Sequence, residues 1–225
     1  SGHISCSAED QIEELRQMAA TGVDALIFIT NRFASPSQGP EVWMENLKRV
    51  MDALPPELPL GLYECPYPYK RVLSPKVTRW CAESGRFFFL KDTCCDIQQI
   101  KEKLDICRDS NLKLYNANTS TLLESLRYGA TGYSGVMANM QCDLYAWLCA
   151  HPQDEKAEEL SQELTICSLI ERQLYPVNAK YYLSLEGLSI TTECRSKRAE
   201  DLTPTFRTEV EMLRQITKRM ADKYL

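Results

Sequence analysis

The chain has 225 residues, of which 44% are hydrophobic and 25% are charged, and these proportions exclude a disordered, collagen-like or low-complexity chain. Its 26 basic and 31 acidic residues give a net charge of -5, which disfavours nucleic acid as a partner. No apolar run approaches the roughly 18 residues that cross a bilayer, so no membrane partner is expected either.

Five short apolar runs predict the buried strands of a parallel sheet. Helical patterns separate the runs, and this alternation is typical of strands joined by right-handed crossovers. Two unrelated small α/β units would give the same alternation, but the even spacing favours one continuous sheet or barrel. The runs are residues 23–29, 58–63, 86–91, 112–115 and 132–137.

Two helix starts within this alternating region carry capping residues. Ser7 with Asp10 three residues later approximates a capping box, although Glu or Gln is more usual at the third position. Ser74 followed by Pro75 predicts an N-cap with proline in the first turn.

Beyond His151 the alternation gives way to helices alone. Residues 153–175 predict one long helix and residues 176–186 a second, while Thr203 and Pro204 open a third that runs almost to the end. We therefore divide the chain into a strand-and-helix domain at 1–150 and a helical domain at 151–225.

The ten cysteines do not form a pattern that predicts disulfides or a metal site. Many lie inside apolar stretches, where cysteine behaves as a small hydrophobic residue. There is no C-x-x-C pair, and His3 and His151 are far apart, so no bound metal is expected. Reduced thiols indicate a cytoplasmic protein.

Two residues at predicted strand ends carry candidate chemistry. Lys91 closes a very hydrophobic run, where desolvation lowers a lysine pKa and makes the amine a nucleophile toward carbonyls. Tyr63 ends the preceding strand, from which its phenol would reach the same end of the sheet as Lys91 and transfer a proton. Taken singly, each has a simpler interpretation: a lysine that snorkels to the surface, and a core tyrosine with its hydroxyl in water.

Taken together, several segments resemble the dihydrodipicolinate synthase and N-acetylneuraminate lyase family. Tyr-Glu-Cys-Pro at 63–66 is similar to its Tyr-x-x-Pro signature, and Phe-Leu-Lys-Asp-Thr at 89–93 to its Schiff-base lysine motif. Residues 128–135 resemble its Gly-x-x-Gly stretch at the eighth strand, and residues 201–204 the start of its last helix. The resemblance runs through essentially the whole chain in order.

The resemblance implies a (β/α)₈ TIM barrel with a C-terminal helical bundle, assembled as a homo-tetramer. Lys91 would form the Schiff base with a 2-keto acid, with pyruvate expected, and Tyr63 would relay protons. No cofactor is implied, because the lysine itself bonds to the substrate. Ser134 and Gly135, in the Gly-x-x-Gly stretch, are implied substrate-binding residues.

The chain also departs from the family pattern. It begins where the family's third strand ends, so 1–150 would hold strands four to eight and lack the first two to three. The family's Gly-Thr-Thr-Gly-Glu loop, which holds the keto-acid carboxylate, does not occur in this sequence. Either an N-terminal part is omitted or the protein is a truncated form; five strands cannot close an eight-stranded barrel, which favours omission.

Other departures concern the substrate. Phe33 stands where a tyrosine of dihydrodipicolinate synthases reaches a neighbouring subunit and completes a proton relay, so its loop would present an aromatic ring to a neighbour. Pro68 replaces their arginine. Lys70 and Arg71 either substitute as a carboxylate anchor or are surface charge. The loop at 116–120, with Asn118 and Thr119, offers hydrogen bonds where sialic-acid lyases carry acidic residues.

These features favour a Schiff-base lyase or aldolase that joins or cleaves a 2-keto acid and an aldehyde other than aspartate semialdehyde. The alternative is a barrel of the same ancestry that no longer catalyses and acts as a binding or assembly protein. A nucleotide-binding fold is the least favoured, because the sequence contains neither G-x-G-x-x-G nor a P-loop motif.

Overall fold

The computed structural model describes residues 3–225, which contain five strands and nine α-helices joined by loops and short 3₁₀ turns. The strands are β1 (Leu26–Ile29), β2 (Leu60–Tyr63), β3 (Phe87–Asp92), β4 (Lys113–Asn116) and β5 (Gly132–Tyr133). The helices are α1 (Ala8–Ala20), α2 (Pro40–Asp52), α3 (Pro75–Glu83), α4 (Ile97–Cys107), α5 (Leu122–Tyr128), α6 (Cys142–Ala150), α7 (Ala157–Cys167), α8 (Val177–Leu185) and α9 (Pro204–Tyr224).

The strands form one sheet in the order in which they occur along the chain. The pairs β1–β2, β2–β3 and β3–β4 are parallel, as the strand-and-helix alternation predicts. The fifth strand is shorter than the predicted run at 132–137, because the chain enters a 3₁₀ turn at Val136–Asn139 whose Met137 is fully buried.

The two faces of the sheet differ in burial. One face carries Leu26, Phe28, Leu62, Leu90 and Leu114, which are almost completely buried in a core with side chains of α1 to α4. The opposite face is half-buried, and its side chains include those of Tyr63 and Lys91. Because successive residues of a strand point to opposite faces, one strand supports both the core and the site.

Capping residues begin the helices where the sequence places them. The hydroxyl oxygen of Ser7 accepts from the Asp10 amide at 3.2 Å, and that of Ser74 accepts from the Val77 amide at 3.4 Å. The hydroxyl oxygen of Thr203 accepts from the Phe206 amide at 3.2 Å, so the predicted start of the last helix is confirmed. Each bond satisfies an amide that the first turn leaves without an intrahelical partner.

The predicted single helix at 153–175 is wrong in its second half. The α-helix ends at Cys167, and the chain continues as a 3₁₀ turn at Ser168–Arg172. Leu174 then adopts a left-handed conformation with φ of 32°. Pro176 explains why no helix continues through this point, since proline lacks an amide hydrogen and disfavours helical backbone in the residue before it. The second predicted helix is present as α8.

The chain divides into two compact units, each with its own apolar core. The first comprises residues 1–116 and 128–132, and the second comprises residues 117–127 and 133–225. The domain boundary predicted near residue 150 from the change in pattern stays a prediction. No helix in the described range combines the length and the apolar character that a membrane crossing requires.

All ten cysteines are free thiols. Cys81 and Cys107 are buried in the first core, where burial raises the pKa of both thiols, that of Cys107 to about 11. They therefore pack as small apolar side chains, as their sequence context predicts.

Phe33 lies in an aromatic cluster of the first unit. Its ring packs edge-on against Phe28 and Trp43 and tilted against His3, and the side chain is 2% exposed. The expectation that Phe33 presents an aromatic ring to a neighbouring subunit is therefore wrong, because the ring fills the core of its own chain.

His3 is buried against the same rings and lies within hydrogen-bond distance of a strand. Its Nε2 accepts from the Ile29 amide at 2.8 Å, and its Nδ1 has no hydrogen-bond partner among the described residues. Burial lowers the pKa of His3 to about 4, although the carboxylate of Glu14 opposes the effect. The ring therefore remains neutral in the folded protein at pH values where a histidine in the unfolded chain is already protonated.

We expect the free energy of unfolding to fall as the pH is lowered from about 6.5 to about 4. Over this range the His3 side chain is protonated in the unfolded chain but stays neutral in the folded protein. The pKa difference corresponds to about 3 kcal/mol when integrated over that window. Urea unfolding at a series of pH values measures it. His3→Gln retains an acceptor for the Ile29 amide and should lose this part of the pH dependence; an unchanged dependence would contradict the assignment.

Candidate active site

Lys91 and Tyr63 meet on the half-buried face of the sheet. Tyr63 ends β2 and is the direct register partner of Lys91 near the end of β3. The Nζ of Lys91 lies 4.5 Å from the centroid of the Tyr63 ring, so the ammonium rests on the aromatic face. The structure thus brings together the two residues that the sequence selects as catalytic.

Lys91 has a tyrosine on each side in the sheet. Tyr115 of β4 is its register partner on the other side, and the Tyr115 ring packs against Phe89 with centroids 4.9 Å apart. The half-buried face thus places one amine between two phenol-bearing strands. The position of Tyr115 beside Lys91 is set by the register of β3 and β4, and the sequence alone does not give this register.

The loop after Tyr63 is held by side chains that follow β1. The side-chain nitrogen Nδ2 of Asn31 lies 2.9, 2.8 and 2.6 Å from the carbonyl oxygens of Cys65, Tyr67 and Tyr69, which share its two hydrogens. Thr30 donates through its hydroxyl to the carbonyl oxygen of Arg71 at 2.9 Å. Residues at the end of β1 therefore fix the backbone of the loop that begins with the Tyr-Glu-Cys-Pro segment.

Behind this face lies a cluster of three charged side chains, which we call the buried ion cluster: Glu64, Asp92 and Lys103. Their side chains are 0%, 0% and 2% exposed. The Nζ of Lys103 donates to Oε1 of Glu64 at 2.7 Å and to Oδ2 of Asp92 at 2.5 Å. Charged groups are rarely buried this deeply unless they are paired, as these are.

Backbone amides complete the cluster. The Leu73 amide donates to Oε1 of Glu64 and the Thr93 amide to Oε2, both at 2.8 Å. The Cys94 amide donates to Oδ1 of Asp92 at 3.0 Å. Every carboxylate oxygen of the cluster thus accepts at least one hydrogen bond, which offsets the cost of burial.

The pKa values of the cluster reflect burial and pairing. Burial raises the pKa of the Glu64 carboxyl above its ordinary value, although the Lys103 ammonium acts in the opposite direction. Burial alone lowers the pKa of Lys103, but the carboxylates of Glu64 and Asp92 outweigh it, so the net pKa is raised. Lys103 is therefore a fixed ammonium at neutral pH.

Sequence reasoning missed these three residues, although a signal for Lys103 is present. The buried positions of α4 are Ile100, Lys103, Leu104 and Cys107, so the lysine interrupts an apolar stripe at helical spacing. A charged residue on such a stripe requires a partner of opposite charge in the core.

The two candidate carboxylate anchors lie in a different part of the first unit. Lys70 is exposed, and Arg71 donates to the carbonyl oxygens of Ser35 and Gln38 at 3.0 and 2.8 Å. Both line a pocket of about 290 Å³ that Trp43 also lines. Neither Tyr63 nor Lys91 lines this pocket, so the structure does not bring the two pairs together there.

In the second unit, Asn118 and Thr119 make local hydrogen bonds. Oδ1 of Asn118 accepts from the Thr121 amide at 3.2 Å and thereby caps a 3₁₀ turn. The buried Thr119 hydroxyl shares hydrogen bonds with Tyr133 at 3.2 Å and Tyr145 at 2.8 Å. The two phenol rings stack with centroids 4.1 Å apart.

Burial raises the pKa of the Tyr133 phenol to about 12 and also raises that of Tyr145. Both phenols are therefore protonated at neutral pH. Ser134 and Gly135 follow Tyr133 directly and are half-buried. Substrate binding by Asn118, Thr119, Ser134 and Gly135 stays a prediction.

Gly135 lies directly against the Tyr133 phenol. A Cβ at this position would overlap the Tyr133 hydroxyl and would lie 2.6 Å from Cε2 of the ring. We expect Gly135→Ala to displace the ring from Tyr145 and Thr119 and to lower the free energy of unfolding by about 1–3 kcal/mol, the usual cost of overpacking. Denaturant unfolding measures the change. Ser134→Ala is the matched control, and an equal effect of both variants would contradict the overlap.

The described residues contain no group of three His, Cys, Asp or Glu side chains placed to hold a metal ion. The ends of the parallel strands bring together an amine, neighbouring phenols and the buried ion cluster. Such strand ends are where α/β sheets and barrels bind ligands.

The sequence model of the Dihydrodipicolinate synthetase family matches residues 2–216. The chain belongs to this family. The resemblance drawn from residues 63–66 and 89–93 is thereby confirmed at family level.

Among curated relatives, the 4-hydroxy-tetrahydrodipicolinate synthase of Acaryochloris marina is 23% identical over 193 residues, which are 84% of this chain and 64% of that relative. The 4-hydroxy-tetrahydrodipicolinate synthase of Methanothrix thermoacetophila is 25% identical over 139 residues, which are 62% of this chain and 46% of the relative. The matched region thus spans less than two thirds of the length of either synthase.

The fold is that of the dihydrodipicolinate synthase barrels. The chloride-inhibited dihydrodipicolinate synthase from Acinetobacter baumannii, solved in complex with pyruvate, superposes with a TM-score of 0.81 at 22% identity. The match covers 96% of this chain and 74% of that one. A partial (β/α)₈ barrel with five parallel strands, followed by C-terminal helices, is confirmed.

Proposed function

We propose that this chain is the Schiff-base-forming part of a lyase of the dihydrodipicolinate synthetase family, acting on a 2-keto acid and an aldehyde. The observation that carries the proposal is the contact between Lys91 and Tyr63, with Nζ 4.5 Å from the ring centroid. An amine beside a phenol at the end of a parallel strand is suited to carbonyl capture and proton transfer. Pyruvate is the proposed keto acid, and no cofactor is required.

In the proposed reaction the neutral amine of Lys91 attacks the keto carbon and forms a carbinolamine. Loss of water gives an iminium, and loss of a proton from the neighbouring carbon gives an enamine. In the condensation direction the enamine carbon attacks the aldehyde, whose oxygen takes up a proton, and water then releases the product and the amine. Tyr63 is the group proposed to deliver and accept these protons; cleavage runs through the same steps in reverse.

Trapping with borohydride tests the proposal. The purified protein is incubated with pyruvate and sodium borohydride, and the adduct is located by peptide mapping. We expect a reduced pyruvate adduct on Lys91, because reduction of the imine makes the carbon–nitrogen bond permanent. Succinate, which lacks a ketone, is the control ligand. An adduct on another lysine, or none in protein shown to be folded, would contradict the proposal and favour a non-catalytic binding or assembly role.

We further propose that the aldehyde is neutral or hydroxylated and is not aspartate semialdehyde. Phe33 carries no hydroxyl, Pro68 offers no guanidinium, and the Arg71 guanidinium donates to backbone carbonyls. Loss of a charge-assisted hydrogen bond costs about 1.5–3 kcal/mol, roughly ten- to a hundred-fold in specificity. Steady-state assays over an aldehyde panel test this; a best specificity constant for aspartate semialdehyde that Arg71→Ala abolishes would contradict it.

We propose a cytoplasmic enzyme that assembles as a homo-tetramer. Ten free thiols suit a reducing compartment, and closed symmetric assemblies are common among soluble enzymes. Light scattering at micromolar concentration measures the assembly, and a monomer would contradict the tetramer.

A further inference from the structure

The buried ion cluster lies on the opposite side of the sheet from Lys91 and Tyr63, and it is joined to both through the backbone. Glu64 directly follows Tyr63, and Asp92 directly follows Lys91. Since consecutive strand residues point to opposite faces, the carboxylates lie behind the face that carries the amine and the phenol. Each predicted catalytic residue is thus joined by a peptide bond to a carboxylate residue of the cluster.

Lys103 joins these two strand ends from a third element. Its ammonium, on α4, bonds to Glu64 at 2.7 Å and to Asp92 at 2.5 Å. The Glu64 amide donates to the Lys91 carbonyl at 3.3 Å, and the Thr93 hydroxyl donates to the Glu64 carbonyl at 2.9 Å. The ends of β2 and β3 are therefore joined by backbone bonds and by one shared cation.

We propose that Lys103 is a positioning residue that holds Lys91 and Tyr63 at the mutual distance needed for Schiff-base chemistry. This inference rests on the function proposed above. The observation that points to positioning is the identity of the two carboxylates that Lys103 bonds: they belong to the residues that directly follow the phenol and the amine. Small displacements matter here, because a shift of about 1 Å at a reacting group costs up to roughly a hundred-fold in rate.

The test must separate positioning from folding. Lys103→Met leaves two carboxylates buried without their cation, so this variant alone is not decisive. The triple variant Glu64→Gln, Asp92→Asn, Lys103→Met removes all three charges with little change in volume, and it is the principal test. Lys101→Met is the matched control: the same substitution on the same helix, at a half-buried lysine that lies over the Tyr128 ring.

The readout is the rate of pyruvate trapping per folded molecule as a function of pyruvate concentration. In the triple variant we expect the maximal rate to fall by about ten- to a hundred-fold, because the amine and phenol are no longer held in place. The half-saturating pyruvate concentration should change little, and Lys101→Met should match the parent protein. A folded triple variant that traps pyruvate at the parent rate would overturn the inference.

A second readout keeps the inference testable if the parent protein traps no pyruvate. The reactivity of Lys91 toward trace acetic anhydride is compared with that of the exposed Lys76 in the same molecule. We expect the ratio to change several-fold in the triple variant and to stay constant in Lys101→Met. A change in this ratio without a pyruvate adduct would reject the proposed function but retain the positioning of the amine; a constant ratio and an unchanged trapping rate would reject the positioning.

Discussion

Lys91→Arg is expected to abolish the borohydride-trapped pyruvate adduct. Arginine keeps the positive charge and the ability to lie over the Tyr63 ring, but its guanidinium is protonated at every accessible pH and is no nucleophile. The substitution therefore removes the chemistry while it preserves the local electrostatics. Intact-mass measurement after reduction detects the loss.

Tyr63→Phe separates the two predicted roles. The ring that contacts the Lys91 ammonium remains, so we expect the pyruvate adduct to form. The phenolic proton is lost, and the subsequent carbon–carbon step should slow by about 10²- to 10⁴-fold, the usual contribution of general acid–base catalysis. Deuterium exchange at the methyl group of pyruvate, followed by NMR, measures the proton transfer without knowledge of the aldehyde.

Lys76→Arg provides the matched control for the lysine substitution, because Lys76 is exposed on α3 and pairs with Glu41. It should leave trapping unchanged. Trapping by Lys91→Arg at the parent level would show that another amine carries the reaction. A proton-transfer rate unaffected in Tyr63→Phe would remove Tyr63 from the relay and direct attention to Tyr115, the other register partner of Lys91.

Lys103→Met is expected to lower the free energy of unfolding by about 3–5 kcal/mol, because it leaves two carboxylates buried in the core without their cation. Glu64 and Asp92 are both 0% exposed, so water does not replace the lost bonds without a rearrangement of the sheet edge. Urea unfolding measures the loss. Lys101→Met on the same helix loses a half-buried contact with the Tyr128 ring and should change the same quantity by about 1 kcal/mol or less.

The triple variant Glu64→Gln, Asp92→Asn, Lys103→Met should recover most of that loss. The triple variant leaves no charge unpaired in the core, and an unpaired buried charge is the main cost of removing a single member of an ion cluster. If Lys103→Met and the triple variant are equally unstable, the penalty does not come from unpaired charge, and the side-chain NH2 group that Glu64→Gln places against the Leu73 or the Thr93 amide is its expected source.

Local signals in the sequence predicted the elements well. Ser7, Ser74 and Thr203 cap the helices that follow them, because a short polar side chain can satisfy first-turn amides without any distant partner. The end of α7 was missed, because Leu160 and Leu164 keep a helical spacing that continues formally through Leu174. The apolar spacing thus extends beyond the end of the helix, and Pro176 indicates only the break that precedes α8.

The site was predictable only where it follows from strand direction. Lys91 and Tyr63 could be paired because parallel strands that end together bring their last side chains together. The roles of Glu64 and Lys103 depend on a contact between residues 39 positions apart, which no local pattern specifies. Phe33 was misassigned for a related reason: a loop aromatic is as compatible with an interface as with the core, and the tertiary packing decides.

One carboxylate couples two loops. Glu64 accepts from the Leu73 amide, at the end of the loop that follows β2, and from the Thr93 amide, in the loop that follows β3. If either loop lifts away, water gains access to the Glu64 carboxylate and can replace the donor from the other loop, so the opening of one loop lowers the cost of opening the other. The two loops should therefore open as one cooperative unit, and the amide protons of Leu73 and Thr93 should exchange with solvent at similar rates.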